Sequence, residues 1–392
     1  MPTRLAEIPT ATITILSDNT QTYTLFFELL QVAIGKRSSL SHTPSPEEWE
    51  QLYTTAKEQT LAGIAFAALE RLPHSQLPPP RRIRQWAVKA DRIRELNRQA
   101  SRQTAAVWRY FKDNGFHCLI LKGQGNAYNY PEHLRGLRSP GDIDVWAWPQ
   151  GSHHVRTVIE FCQSRKKGEF MYYHNMDFPI LKDIPVEVHY RPTWLYNPLH
   201  NHRLQQWLSD YKHSGQLVEF EGYAIPTAQF NAVFQLLHLY KHIFEEGIGM
   251  RQLLDYYMVL QQSSSSMLDT ALIKSFGLER FASAVMYVLQ QVFCNDASPD
   301  ATSWMPYQPD ERAGRQLLSE IMLSGNFGQS DKRYNWAEVT NGSLRYRGLP
   351  YAMARLRHNL HFLASYPSEV LFEPPFRIYN KLWLTLRLWR YE

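Results

Sequence analysis

Cysteine is scarce in this chain, and the little there is excludes several chemistries. Cys118, Cys162 and Cys294 are scattered and odd in number. No CxxC pair is present to hold zinc or to run a dithiol cycle, and a reducing cytosol is the compartment this usage fits. The N-terminus lacks a basic-then-apolar leader, and no uninterrupted apolar stretch is long enough to span a bilayer. A soluble, unprocessed, cytoplasmic protein is therefore expected. No repeat of fixed period runs through the sequence. Excess charge is modest: a net +5 and a pI near 8.9 permit an anionic partner such as a nucleotide, nucleic acid or acidic lipid without demanding one.

Hydrophobic material, in contrast, is plentiful. Hydrophobic residues make up 44% of the chain and aromatics 13%, with 11 Trp and 22 Tyr, which favours substantial cores over disorder. At 392 residues the chain exceeds the usual size of one core, so two or three structural units are expected. Ser45-Pro46-Glu47-Glu48 reads as a capping box with proline at the first helical position. Trp49, Leu52, Tyr53, Ala56, Ile64, Ala68 and Leu69 extend that helix to about Leu72. After Pro73 and Pro78 to Pro80, a long helix is predicted from about Arg81 to Asn114-Gly115.

The pattern changes at Phe116-His117-Cys118-Leu119-Ile120-Leu121, a short apolar run that predicts a buried strand ended by Lys122-Gly123. A second strand is predicted around Asp142 to Trp148 and a helix from about Ser152 to Ser164. Strands at about Phe170 to Leu181 and Pro185 to Tyr190 follow, joined at Lys182-Asp183 as a β-hairpin in which Pro179 disfavours a central place. From Thr227 the helical period returns through Phe230, Val233, Phe234, Leu237 and Tyr240, then Leu253 to Leu260, with Ser263–Ser266 as a linker. The expected layout is a mostly helical region over 1–90, an α/β unit over 91–226 and a helical region over 227–392. The fold class is α+β, a small mixed β-sheet flanked by helical regions.

Within that layout, Gly141-Asp142-Ile143-Asp144-Val145 sets two carboxylates two residues apart in a β-prone run. In a strand both face the same way, about 7 Å apart at Cα. That separation suits a pair of Mg²⁺ ions roughly 4 Å apart, although a solvated strand end has the same pattern. The strand Pro185-Val186-Glu187-Val188-His189-Tyr190 repeats the design, with Glu187 and His189 on one face. Three carboxylates on adjacent strands could hold metal ions, with Glu187 placed to orient or deprotonate a hydroxyl; a solvated sheet face is the plain alternative.

These pieces, Leu119-Ile120-Leu121-Lys122-Gly123, then Arg138 through Val145, then Val186-Glu187-Val188-His189, resemble in order and strand context the nucleotidyltransferase superfamily that includes DNA polymerase beta. More closely, the chain resembles a bacterial family of uncharacterised nucleotidyltransferases. Trp49 to Leu72 resembles that family's N-terminal helix, and His238-Leu239-Tyr240-Lys241-His242 with Arg251 to Asp255 its C-terminal helical signature, so the likeness runs from about Trp49 to Leu260. The resemblance implies that Asp142 and Asp144 are the paired metal-binding aspartates and Glu187 the third carboxylate, serving Mg²⁺ or Mn²⁺. Better-known members carry a glycine-serine turn that cradles the triphosphate, whereas this chain has Lys122-Gly123-Gln124-Gly125; glycines and backbone N–H groups can bind phosphate without the serine. Lys122, Gly123, Gly125 and Arg138 are then the nucleotide-binding candidates. Lys122 is otherwise a solvated strand-end lysine, and Arg138 an arginine paired with Glu132 or an aspartate.

The implied activity is a metal-dependent transfer of NMP from an NTP, such as ATP, to an unidentified acceptor with release of pyrophosphate. The alternative is a weak or inactive nucleotidyltransferase fold that binds a nucleotide, nucleic acid or protein partner. His238 and His242, one helical turn apart, lack the glutamate of metalloprotease helices, so with His189 and Lys241 they are read as lining the cleft, or else as bonding backbone and water. Arg251 and Asp255, four apart, suggest an intrahelical ion pair. The arginines at 81, 82, 84, 92, 94, 98, 102 and 109 read as a solvated helix face, with a nucleic-acid track as the alternative. The last segment, with Ile378, Leu382, Trp383, Leu386 and Trp389 among Arg377, Lys381, Arg387 and Arg390, reads as core packing, with peripheral membrane contact as a minor alternative.

Overall fold

The computed structural model describes residues 23–150, 155–165, 171–245, 247–262, 268–294, 305–326 and 349–388. The first element among the described residues is a helix over 23–33 (α1), followed by α2 (Pro46–Glu58). Its capping box is formed: Glu48 N–H donates to Ser45 Oγ at 3.2 Å, and Ser45 N–H to the Glu48 carboxylate at 2.8 Å. The single helix expected to reach Leu72 breaks in two, however. Thr60 adopts a left-handed conformation with φ +55°, and α3 (Ala62–Leu69) starts afresh. Beside the break, the Gln59 side chain accepts from Met250 N–H at 2.8 Å and donates to Ile321 O at 3.2 Å, a tertiary tie that helical spacing cannot announce.

Helix α4 (Pro80–Asp113) is 34 residues long, about 51 Å. Its buried stripe, Trp86, Ala90, Ile93, Asn97, Ala100, Thr104, Val107 and Phe111, recurs every three or four residues. Arg92, Arg98, Arg102 and Arg109 are exposed, and Arg94 and Arg98 bond to Asp91 and Glu95 one turn back. Gly115, at φ +82°, supplies the left-handed turn that ends the helix.

The α/β unit then runs β1 (Phe116–Ile120), α5 (Gln124–Ala127), α6 (Glu132–Arg135), β2 (Ile143–Pro149), α7 (Val155–Arg165), β3 (Asn175–Asp177) and β4 (Val186–His189). The sheet order is β1-β2-β4-β3; β2 pairs parallel with β4 and the other two pairs are antiparallel. Ile143, Val145, Ala147, Val186 and Val188 share one face and pack with Val107 and Phe111 of α4 and Val158, Ile159 and Cys162 of α7. Asp144 and Trp146 face the other way, and Trp146 stacks on Phe230 with ring centroids 5.6 Å apart. The strand expected over Phe170 to Leu181 shrinks to three residues at the sheet edge, ending in a ladder bond from Phe178 N–H to Val186 O at 2.8 Å. Pro179 follows directly and has no N–H to extend it. Phe170 and Ser152 lie outside the described residues.

Helix α8 (Pro198–Ser214) and the hairpin of β5 (Val218–Phe220) and β6 (Tyr223–Ile225), which the sequence reading did not resolve, lead into the helical half. It comprises α9 (Ala228–Glu245), α10 (Met250–Gln262), α11 (Thr270–Ser275), α12 (Glu279–Phe293), α13 (Glu311–Ser324), α14 (Leu349–His361) and α15 (Pro367–Leu388). From Phe230 to Phe244, α9 is buried on nearly every side, as a helix at the centre of a helical core must be. The core-packing expectation for the last segment holds for Trp383 and is overturned for Ile378, Leu382 and Leu386, which are 65%, 56% and 61% exposed, because α15 turns Glu373, Phe376 and Trp383 inward. Trp389 and Arg390, and the serine linker at Ser263–Ser266, lie outside the described residues. No described helix is long and apolar enough to cross a membrane.

Candidate active site

The parallel pairing of β2 and β4 sets Asp144 directly opposite Glu187 and Trp146 opposite His189. Alternation along each strand puts Asp144, Glu187 and His189 on one face, and together they form the group of ligand atoms, all within 4.8 Å of one another, that could hold a metal ion. His189 Nε2 lies 2.8 Å from Asp144 Oδ1 and 3.5 Å from Glu187 Oε2. Lys122, just past the end of β1, places Nζ 2.7 Å from the same Asp144 Oδ1. Asp142 sits one residue before β2, in the wall of the same cavity.

This cavity encloses about 330 Å³ between the polar face of the sheet and the helices α9, α10, α14 and α15. Lys122, Gly123, Arg138, Asp142, Asp144 and Glu187 line one side, and His238, Lys241 and His242 of α9 the other. Of the four side chains read as lining the cleft, the three on α9 line this cavity, and His189 lies buried beneath it, 2% exposed. His238 and His242 stand 4.2 Å apart between ring centroids. Neither belongs to the described group of potential metal ligands.

Electrostatics separate the two aspartates. Burial would raise Asp144, but Lys122 and His189 on the same oxygen outweigh it and hold its carboxyl well below the usual range. Asp142 is pushed up to about 6, by burial first and then by the charge of Asp144, against the pull of Lys122. Glu187 is lowered: burial works against ionisation, and the hydrogen bond from His189 with the charge of Lys122 wins. The Lys122 ammonium is held charged by Asp144, Asp142 and Glu187 in spite of burial. Burial keeps His238 and His174 neutral and takes His242 down to about 3.

Two expectations change. Arg138 turns its fork on Asp255, with Nε and Nη2 each 2.7 Å from a carboxylate oxygen, and both side chains are 4% exposed. Asp255 takes a further 2.7 Å bond from Tyr130 Oη, so its principal cation is Arg138 rather than its helical neighbour Arg251. The cluster clamps the loop into β2: Asn97 donates to Gly136 O and Arg138 O, and Arg251 Nη1 to Ser139 O. Gly125, unlike Arg138, does not line the cavity. Its N–H bonds to Lys122 O, and an added Cβ would stand 2.7 Å from Ile120 O, so packing requires this glycine.

Several wall residues escaped the sequence reading. Asn175 Nδ2 donates to Glu187 Oε2 at 2.6 Å and orients that carboxylate. His174 Nε2 meets Lys241 Nζ at 3.1 Å, and Trp194 lies under the same ammonium, 3.8 Å from Nζ to the ring centroid. Tyr196, Arg355 and Arg377 close the far end. Asn175 opens β3, a strand too short to show a period, His174 sits in the bend just before it, and the others arrive through tertiary contacts alone.

As a metal site the residues fit. Two carboxylates with an imidazole make a hard-to-borderline donor set. Asp144 Oδ2, on a side chain 1% exposed, finds no hydrogen-bond partner among the described residues, so a lone pair is left for a cation. No curated protein and no solved structure matches the chain. A family model described as uncharacterised nucleotidyltransferase matches residues 45–294, more than half of the sequence and further toward the C-terminus than the resemblance to Leu260 had suggested. On that match the chain belongs to this family of uncharacterised nucleotidyltransferases.

Proposed function

We propose that the protein transfers a nucleoside monophosphate from an NTP to an acceptor hydroxyl or phosphate and releases pyrophosphate. The observation that carries this reading is the in-register pairing of Asp144 with Glu187 across parallel strands, in the wall of a cavity that also presents Lys122. Asp144 and Glu187, with Asp142 beside them, would hold Mg²⁺ or Mn²⁺, which would neutralise phosphate oxygens and favour in-line displacement. Lys122 is the point charge for the triphosphate, reached by exchanging its bond to Asp144. Glu187, with a side chain 30% exposed and oriented by Asn175, receives the acceptor proton as the new P–O bond forms and the bond to pyrophosphate breaks. Arg138 acts indirectly, by clamping the loop that delivers Asp142. The likeness to the DNA polymerase beta superfamily supports these roles.

The test is incubation with each labelled NTP, Mg²⁺ or Mn²⁺ and extracts of acceptors, comparing wild type with Asp144→Asn. Wild type should transfer label and the variant about 10²- to 10³-fold less, the scale of removing one electrostatic partner of the reacting group. Transfer undiminished in Asp144→Asn would defeat the proposal. One observation favours a second reading, a binding module without turnover: Lys122 and His189 already neutralise Asp144 from within the chain. Under that reading wild type binds an NTP without metal and transfers no label.

A further inference from the structure

Large apolar side chains on the surface are concentrated on two consecutive helices. Of the fourteen exposed ones among the described residues, ten fall between Met353 and Leu386. On α14 they are Met353, Leu356, Leu360 and, just beyond its end, Leu363, spaced four or three apart. On α15, Leu371, Ile378, Leu382 and Leu386 repeat at seven, four and four. Each set is therefore one face of a helix. The opposite faces are buried and polar-bonded: Arg355 pairs with Glu373 at 2.9 Å, and Glu369 accepts from Tyr196 N–H at 2.7 Å.

Charge says what covers these faces. Over 352–386 the two acids, Glu369 and Glu373, are 2% and 4% exposed, and the charged side chains that are exposed are Arg357 and Lys381. The outward surface is thus apolar with only positive charge. A second copy docking through the same patch would set one purely positive patch, Arg357 and Lys381, against another, since a two-fold interface uses the same surface on both subunits. An anionic surface with an apolar interior meets both features. Neither helix is long and apolar enough to span a bilayer, so the contact would lie in the interfacial plane.

We propose that the outer faces of α14 and α15 dock on the surface of an anionic lipid bilayer. The inner face of α15 contributes Phe376, Arg377 and Asn380 to the cavity wall, so docking would set the cavity beside the membrane. This does not depend on the nucleotidyl-transfer reading.

Sedimentation of the full chain with phosphatidylcholine vesicles, with and without phosphatidylglycerol, tests it. Wild type should pellet with the anionic vesicles, less so as salt rises, and Ile378→Glu/Leu382→Glu should lower the partition at least about tenfold. Lys381→Glu, a single exposed charge change that leaves the fold intact, should lower it at least about fivefold. The proposal is overturned if wild type stays in the supernatant with anionic vesicles, or if the variants pellet like wild type while melting at the same temperature. It is equally overturned if wild type elutes as a dimer that Ile378→Glu/Leu382→Glu dissociates, without binding vesicles; the face would then belong to a second copy.

Discussion

Glu369 is 2% exposed, and burial pushes its carboxyl up to about 7 although the backbone N–H groups of Tyr196 and Asn197 pull the other way. Its ordinary value is 4.5. Between those values the folded chain holds a proton that the unfolded chain has lost, so this group's contribution to stability falls as pH rises from about 4.5 to 7 and is flat on either side. The full effect is on the order of 3 kcal/mol at most. Thermal melts across that window should therefore show a stability loss toward neutral pH from this site, and Glu369→Gln should flatten that component of the profile. An unchanged profile in the variant would show that Glu369 titrates normally. Nothing in the sequence marks this glutamate, because its environment is made by the loop before α8, more than 170 positions away.

At the scale of elements, the turn between β1 and α5 is the most constrained piece of the site. Gly123 sits at φ +54°, and an added Cβ would stand 2.9 Å from Asp142 O. Gly123→Ala should cost about 1–3 kcal/mol, from the left-handed conformation and the close approach to backbone. The same change should depress label transfer, because it pushes on the carbonyl of a proposed metal ligand. A variant with wild-type urea midpoint and wild-type transfer would remove the turn from the argument. This element was legible as a glycine turn after a strand, whereas its reason was not. Gly125, read as a phosphate contact, serves packing on Ile120. The capping box at Ser45 was fully legible because a capping box lies within four residues, but the break at Thr60 was not, since Gln59 is engaged by α10 and α13.

For the whole molecule, the Arg138–Asp255 pair joins the sheet half to the helical half across 117 positions of sequence. Both partners are buried, so removing one strands the other as an uncompensated charge. Arg138→Ala should destabilise by about 3–5 kcal/mol in a urea titration. Asp255→Ala should do comparable damage, and the double variant less than the sum, since each single change already forfeits the same bond. Additive costs would show that the two groups stabilise the molecule separately.

The sequence by itself determined what depends on near neighbours. Alternation at Asp142 to Val145 and Val186 to His189 decides which side chains share a face, because the period of a strand is two whatever surrounds it. Glycine at 115 and 123 and the capping box at Ser45 act over one turn. Tertiary structure alone decided that Glu187 stands opposite Asp144, that Arg138 spends its charge on Asp255, and that α15 shows its leucines to solvent. Those outcomes come from long-range pairing and burial, where the partner of a charge or a methyl group is chosen by the whole packing and leaves no period in the chain.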